Sequence, residues 1–140
     1  MLILMCDGSS KGNPGKASIG VVVWQRESGT ASARRFRPAH KISRDIGEGT
    51  NNDAEWTAVL EGLQYAKRIG YTGSIYVYTD SMLVVEQALG HWKIKDARML
   101  KYSSEYHGLC RSFMQCGQCM VNINWIPRQL TYLADREAGA

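Results

Sequence analysis

No stretch of the 140 residues is apolar for long enough to cross a membrane as a helix. The longest apolar runs reach about six residues, where a spanning helix needs about 20. Proline occurs only three times, and there is no low-complexity tract or internal repeat, which excludes collagen-like and linker-like chains. Four cysteines are too few for a disulfide-dense mini-protein. Met1–Cys6 is apolar but lacks a basic flank and a small-residue cleavage site, so it reads as a strand and not as a signal peptide. Cys6, Cys110, Cys116 and Cys119 are therefore expected as reduced thiols of a cytoplasmic protein. Cys116-Gly117-Gln118-Cys119 could close a turn as a disulfide under oxidation. Zinc would need more ligands at set spacings than Cys110 and His107 add.

What is present is ordinary for a globular domain. Hydrophobic residues make up 44% of the chain and charged residues 21%. The length suits a single domain over residues 1–140, expected as a monomer. The net charge of +4 is compatible with a polyanionic partner and equally with plain solubility.

Hydrophobic periodicity predicts strands over Leu2–Cys6, Ile19–Gln25 and Ala31–Pro38, forming an antiparallel meander. Gly8–Gly15 and Asp45–Asn52 are dense in turn formers and read as loops. A helix follows over Asn52–Ile69, with Ala58, Val59, Gly62, Leu63, Ala66 and Ile69 on one face and Gly70 ending it. Ser74–Thr79 reads as a strand, and Ser81 caps a short helix to Leu89. Another helix covers Ala97–Met114, with a stripe of Met99, Tyr102, Tyr106, Leu109 and Phe113. Met120–Ile126 is a strand, and Leu130–Ala138 a last helix. This order predicts an α/β fold: a mixed sheet with helices on its faces, antiparallel at the meander and parallel at the helical crossovers.

Four carboxylates stand out on this frame. Asp7 ends the first strand and Asp80 the fourth, and ligands of open α/β sheets bind beyond the carboxyl ends of strands. If those strands are parallel neighbours, the two aspartates stand side by side and repel unless a cation or proton intervenes. Glu55 falls on the apolar stripe of its helix, where an ionised side chain is costly without a partner. Asp135 lies in the last helix beside Leu133 and Ala134. Each has a structural reading alone: turn chemistry, a helix start, a helix-dipole partner, a solvated residue. Together they suit a hard divalent cation, which prefers oxygen ligands.

The motifs Asp7-Gly8-Ser9-Ser10-Lys11-Gly12-Asn13-Pro14-Gly15, Thr50-Asn51-Asn52-Asp53-Ala54-Glu55, Thr79-Asp80-Ser81 and Ala134-Asp135 resemble, in this order and spacing, those of type 1 ribonuclease H. That resemblance implies a ribonuclease H-like fold with a five-stranded sheet ordered 3-2-1-4-5. It implies an endonuclease that hydrolyses the RNA strand of RNA–DNA hybrids and leaves 5′-phosphate and 3′-hydroxyl ends. The implied cofactor is two Mg²⁺ ions, with Mn²⁺ able to substitute. Asp7, Glu55, Asp80 and Asp135 would be the catalytic, metal-binding carboxylates, with the Gly8 carbonyl nearby, and Glu55 would meet a ribose 2′-hydroxyl. Asn13, Asn51 and Asn52 resemble the family's minor-groove asparagines and Thr50 its DNA-phosphate contact. Ser9, Gly12 and Ser81 accompany them in the substrate-binding motifs, although asparagine-rich turns also occur for local reasons.

Outside the four carboxylates, nine acidic residues face 17 basic ones. The basic residues cluster at Arg34, Arg35, Arg37, Lys41 and Arg44, and again at Lys93, Lys95, Arg98 and Lys101. These runs fit a duplex backbone or an ordinary solvated face. Gly90–Arg98 is too short for the basic protrusion of many bacterial relatives. The chain also departs from the family in its last loop: Ile126–Tyr132 holds no histidine, and His40, His91 and His107 sit on other elements. Arg128, fixed behind Pro127, is the candidate to hold a substrate phosphate there. Two other readings remain: a non-catalytic nucleic-acid-binding module, and another nuclease of the ribonuclease H-like superfamily.

Overall fold

The computed structural model describes residues 1–26, 36–115 and 120–131. In chain order the elements are β1 (Leu2–Lys11), β2 (Gly15–Arg26), β3 (Phe36–Gly49), α1 (Asn51–Arg68), β4 (Ser74–Thr79), α2 (Met82–Ala88), α3 (Ala97–Gln115) and β5 (Met120–Trp125), followed by a 3₁₀ turn over Arg128–Leu130. The five strands form one sheet in the order β3-β2-β1-β4-β5. β1–β2 and β2–β3 are antiparallel, whereas β1–β4 and β4–β5 are parallel, as the meander and helical crossovers require.

One face of the sheet buries Leu2, Leu4 and Cys6 of β1, Ile19, Val21 and Val23 of β2, and Ile75 and Val77 of β4. Each apolar side chain taken fully out of water contributes roughly 1.5–3 kcal/mol. α1 lies across β1 and β2 and against α3. Its stripe Ala58, Val59, Gly62, Leu63 and Ala66 is buried as its spacing predicts. A β-carbon on Gly62 would already touch Leu4 and Val21 at 3.3 Å, so the helix rides close to the sheet. Ile69, expected on the same stripe, is 47% exposed, because it is the C-cap just before Gly70 turns the chain at φ +66°. Trp56 is fully buried; its indole N–H donates to Gln87 Oε1 at 2.8 Å and its ring packs edge-on against Tyr106.

Four expectations are corrected. The region Gly8–Gly15 is not a loop: β1 continues to Lys11 and pairs with β2 through Lys11↔Lys16, leaving Gly12–Pro14 as the tip. Asp45–Asn52 is not a loop either, since β3 runs to Gly49 and α1 begins at Asn51. Its glycines and asparagines serve other purposes. Gly47, at φ +84°, accommodates a bulge opposite Ala17 and Ser18, and Asn51 opens the helix. The third strand therefore lies later than Ala31–Pro38; Ala31–Arg35 lie outside the described residues. Leu130 closes a 3₁₀ turn rather than opening a helix, and the rest of the predicted Leu130–Ala138 helix, with Asp135, also lies outside them. So do Cys116, Cys119, Arg34, Arg35 and the side chain of Arg37.

Candidate active site

Asp7 is not the end of β1 but its middle, paired with Gly20 of β2. The expectation about its neighbour nevertheless holds. The parallel ladder between β1 and β4 stops at Cys6↔Thr79, so Asp7 and Asp80 each follow the last rung. α1 supplies the third carboxylate. Its N-terminus passes against β1 at Gly8, where a β-carbon would lie 2.3 Å from the Ala54 carbonyl carbon and 2.6 Å from the Glu55 nitrogen. Only glycine permits that approach, and it sets Glu55 beside Asp7. One carboxylate oxygen from each of Asp7, Glu55 and Asp80 lies within 4.8 Å of the others.

The cluster is strongly desolvated. Asp7 is fully buried, Glu55 is 8% exposed, and the Asp80 side chain is 10% exposed. Burial and the neighbouring Asp80 charge push the Glu55 carboxyl up to about 8, against hydrogen bonds with Asp7, the Gly8 N–H and Thr79 that favour its ionised form. The Thr79 hydroxyl donates to Glu55 Oε2 at 3.3 Å and accepts from the Ser81 N–H at 3.1 Å. Trp125 pins the same strand end: its indole N–H donates to the Asp80 carbonyl at 3.0 Å. Three carboxylates this close need protons or a cation. An all-oxygen, hard donor set fits Mg²⁺ or Mn²⁺ and suits zinc or a soft metal poorly. It is the one such cluster of His, Cys, Asp and Glu among the described residues.

An open cleft over the cluster is lined by Gly8, Ser9, Ser10, Asn51, Asn52, Glu55, Asp80, Ser81 and Arg128. Arg128 stands at the rim, 65% exposed, with Nη1 3.9 Å from Asp80 Oδ2. Asn13 and Thr50 are not among the lining residues but brace the segment that supplies Asn51 and Asn52. The Asn51 N–H donates to Asn13 Oδ1 at 2.9 Å, and Asn51 Oδ1 accepts from the Ser10 N–H at 2.8 Å. Ser10 Oγ also donates to the Gly49 carbonyl at 2.7 Å. Each of these asparagines thus spends its oxygen locally and retains its amide donor for a ligand. Gly12 serves the tip, at φ +76°. Ser81 caps α2 by accepting from the Val84 N–H at 3.3 Å.

Thr50 is the N-cap of α1. It accepts from the Asp53 N–H at 3.1 Å, while Asp53 Oδ2 accepts from the Thr50 N–H and hydroxyl at 2.9 and 3.0 Å. Asp53 is the residue that sequence reasoning passed over. It is buried and also accepts from Tyr102 Oη at 3.0 Å and Arg98 Nη1 at 3.1 Å. Burial alone would raise its carboxyl, but the bonds from Thr50 and Tyr102 and the Arg98 charge hold it below the usual range. The Thr-x-x-Asp spacing is a capping-box signal that could have found it. Arg98 accordingly belongs to a helix–helix tie, and Arg44 pairs with Glu61 of α1, so neither is a spare cation of its basic cluster. Cys6 is core, its thiol pushed up by burial and the neighbouring Glu55 and Asp7.

The RNase H family model matches residues 1–128. The bifunctional protein Rv2228c of Mycobacterium tuberculosis is 36% identical over 138 residues, which cover 99% of this chain and 34% of that protein. The chain thus spans about a third of the length of this relative. The solved N-terminal RNase H domain of Rv2228c superposes with a TM-score of 0.81, covering 99% of this chain and 90% of that one, at 36% identity. LC11-RNase H1, obtained from compost by a metagenomic approach and solved in complex with an RNA/DNA hybrid, gives 0.84 at 28% identity, covering 99% and 94%.

Proposed function

This chain belongs to the RNase H family, and we propose that it is an endonuclease that hydrolyses the RNA strand of RNA–DNA hybrids, leaving 5′-phosphate and 3′-hydroxyl ends. The observation that carries the reading is the convergence of Asp7, Glu55 and Asp80 within 4.8 Å on the floor of an open polar cleft. A binding module gains nothing from buried like charges, whose mutual repulsion costs stability. A metal-dependent nuclease needs them.

Two Mg²⁺ ions, replaceable by Mn²⁺, are the proposed cofactor, held by Asp7, Glu55, Asp80, Asp135 and the Gly8 carbonyl. When bound, such ions stabilise the attacking and leaving oxygens of an in-line phosphoryl displacement. The chain's own residues do the rest. Glu55, against the Gly8 backbone, accepts a hydrogen bond from a ribose 2′-hydroxyl, the group that marks the strand as RNA. Asn13, Asn51 and Asn52 offer side-chain amides to the minor groove, Ser9, Gly12 and Ser81 accompany them as substrate-binding residues, and Thr50 meets a DNA phosphate when its hydroxyl turns from Asp53 to the ligand. Arg128 offers a two-donor fork to a phosphate next to Asp80.

The test is cleavage of an RNA–DNA hybrid, single-stranded RNA and duplex DNA, each with Mg²⁺ and with chelator. Metal-dependent cutting of the hybrid's RNA strand alone is expected. Binding without cleavage would make the chain a module, and cutting of duplex DNA would make it a different nuclease of the superfamily.

A further inference from the structure

The β1–β2 hairpin reaches four residues beyond Asp7 and ends in a pair of lysines. Lys11 and Lys16 are directly opposite each other on the last rung of the ladder, and both are exposed. Like charges in that position destabilise an antiparallel pair. Across β2, Lys16 faces Glu48, yet no ion pair or side-chain hydrogen bond holds either lysine among the described residues. Arg44 and Arg98, by contrast, are tied to carboxylates. Glu48 thus offsets part of the charge on Lys16 without pairing with it, and Lys11 has no carboxylate opposite it, so the tip keeps two like charges side by side where the fold alone would favour a neutral or opposite pair.

The hairpin tip is also joined to the wall of the cleft. Asn51 at the start of α1 donates to Asn13 and accepts from Ser10, and Ser10 reaches the Gly49 carbonyl. The lysines therefore sit at a fixed distance from the carboxylates, not on a free arm. Four strand residues span roughly 13 Å, so a phosphate met at Lys11 and Lys16 is not the one being cut.

We infer that Lys11 and Lys16 form a second backbone-phosphate contact for the duplex, at the hairpin tip, that sets its register over the carboxylates. Their mutual repulsion in the free protein is relieved when a phosphate lies between or beside them. This rests on the hybrid-cleaving reading above and adds to it a binding element outside the cleft.

The test uses Lys11→Ala, Lys16→Ala, the double variant, and Lys11→Arg with Lys16→Arg as the charge-retaining control. Hybrid affinity is measured against salt concentration, and steady-state cleavage in parallel. Each lost phosphate contact should reduce the slope of log K against log salt by about 0.9 and weaken binding about eightfold at 0.1 M salt. KM should rise with kcat unchanged, duplex DNA binding should fall equally, the arginine control should bind as wild type, and the melting temperature should stay level or rise. A double variant with wild-type affinity and salt slope would overturn the inference and leave two solubilising side chains. If the wild-type protein neither binds nor cuts the hybrid, it is the functional reading that fails, which separates the two.

Discussion

Gly8 and Ala54 approach so closely that a β-carbon on Gly8 would stand 2.3 Å from the Ala54 carbonyl carbon. The contact sits between two site residues in sequence, Asp7 before the glycine and Glu55 after the alanine. It is the point at which the sheet and α1 fix the separation of their carboxylates. Gly8→Ala should therefore push α1 from β1, with a stability loss of about 1–3 kcal/mol on the scale of other overpacked cores. Cleavage should fall further than stability does. Chemical denaturation checks the first and a hybrid-cleavage assay well below the melting temperature the second.

Glu55 gives the metal-free protein an inverted acid response. Burial first, and then the Asp80 charge, raise its carboxyl from 4.5 to about 8 in the folded state. A raised folded value means that the stabilising contribution is complete below the unfolded value and is lost as pH rises through the folded one. In chelator, the melting temperature should therefore decline between about pH 4.5 and 8. Glu55→Gln should remove the decline, and Asp80→Asn should reduce it, since burial remains. Both variants, with Asp7→Asn, should abolish cleavage while the metal-free fold is as stable as wild type or more so. Saturating Mg²⁺ should reverse the wild-type trend, because deprotonated ligands bind it better as pH rises. Thermal melts with and without metal read all of this.

Asp53 has the opposite sign. Its folded value lies below the ordinary one, so its contribution is present above the unfolded value and is lost as pH falls through the folded one. Asp53→Ala removes the reciprocal half of the α1 capping box and leaves Tyr102 without its acceptor, at a cost of about 1–3 kcal/mol. Arg98→Ala should cost less than about 1 kcal/mol, since Arg98 is 59% exposed. Urea titrations at pH 7 and pH 3 separate the two, with the Asp53→Ala deficit shrinking at the lower pH.

A mixed sheet, antiparallel at the meander and parallel at the helical crossovers, was legible from the alternation of strands and helices, whereas the sheet order, and with it the meeting of Asp7 with Asp80, rested on the resemblance of the motifs. The motifs around Asp7, Glu55 and Asp80 were legible because polar residues there interrupt otherwise apolar elements. The ends of β1 and β3 were not, because Gly8 and Gly47 look like turn residues. Gly8 is there for close packing against Ala54 and Gly47 for a bulge, and only the partner element distinguishes these uses from a turn. Asp53 was missed for a related reason. Its partners Arg98 and Tyr102 lie more than forty residues away on α3, and no local pattern points to them. The Trp125 bond to the Asp80 carbonyl is likewise purely tertiary.

Arg128 is the remaining charge at the cleft, and its position argues for movement between two partners. Its Nη1 is 3.9 Å from Asp80 Oδ2, and the side chain is 65% exposed. The contact is long and its guanidinium end open to water, so this one pair contributes little. A cation bound at Asp80 would repel the guanidinium, and an arriving phosphate would take it over with two donors. None of the three histidines competes for this role: His40 stacks on Tyr65, His91 bonds Glu86, and His107 lies against Tyr106. Arg128→Ala should therefore lower hybrid cleavage by about one to two decades, the scale of a lost charge-assisted contact. Arg128→Lys should recover part of it, because lysine keeps the charge and loses the fork. Apparent Mg²⁺ affinity should stay level or tighten, since a competing cation has left Asp80. The pH–rate profile should keep its shape in the variant and show no histidine inflection in either protein. Unchanged cleavage in Arg128→Ala would leave the turn after Pro127 a connector and assign the chemistry to the carboxylates and their metal alone.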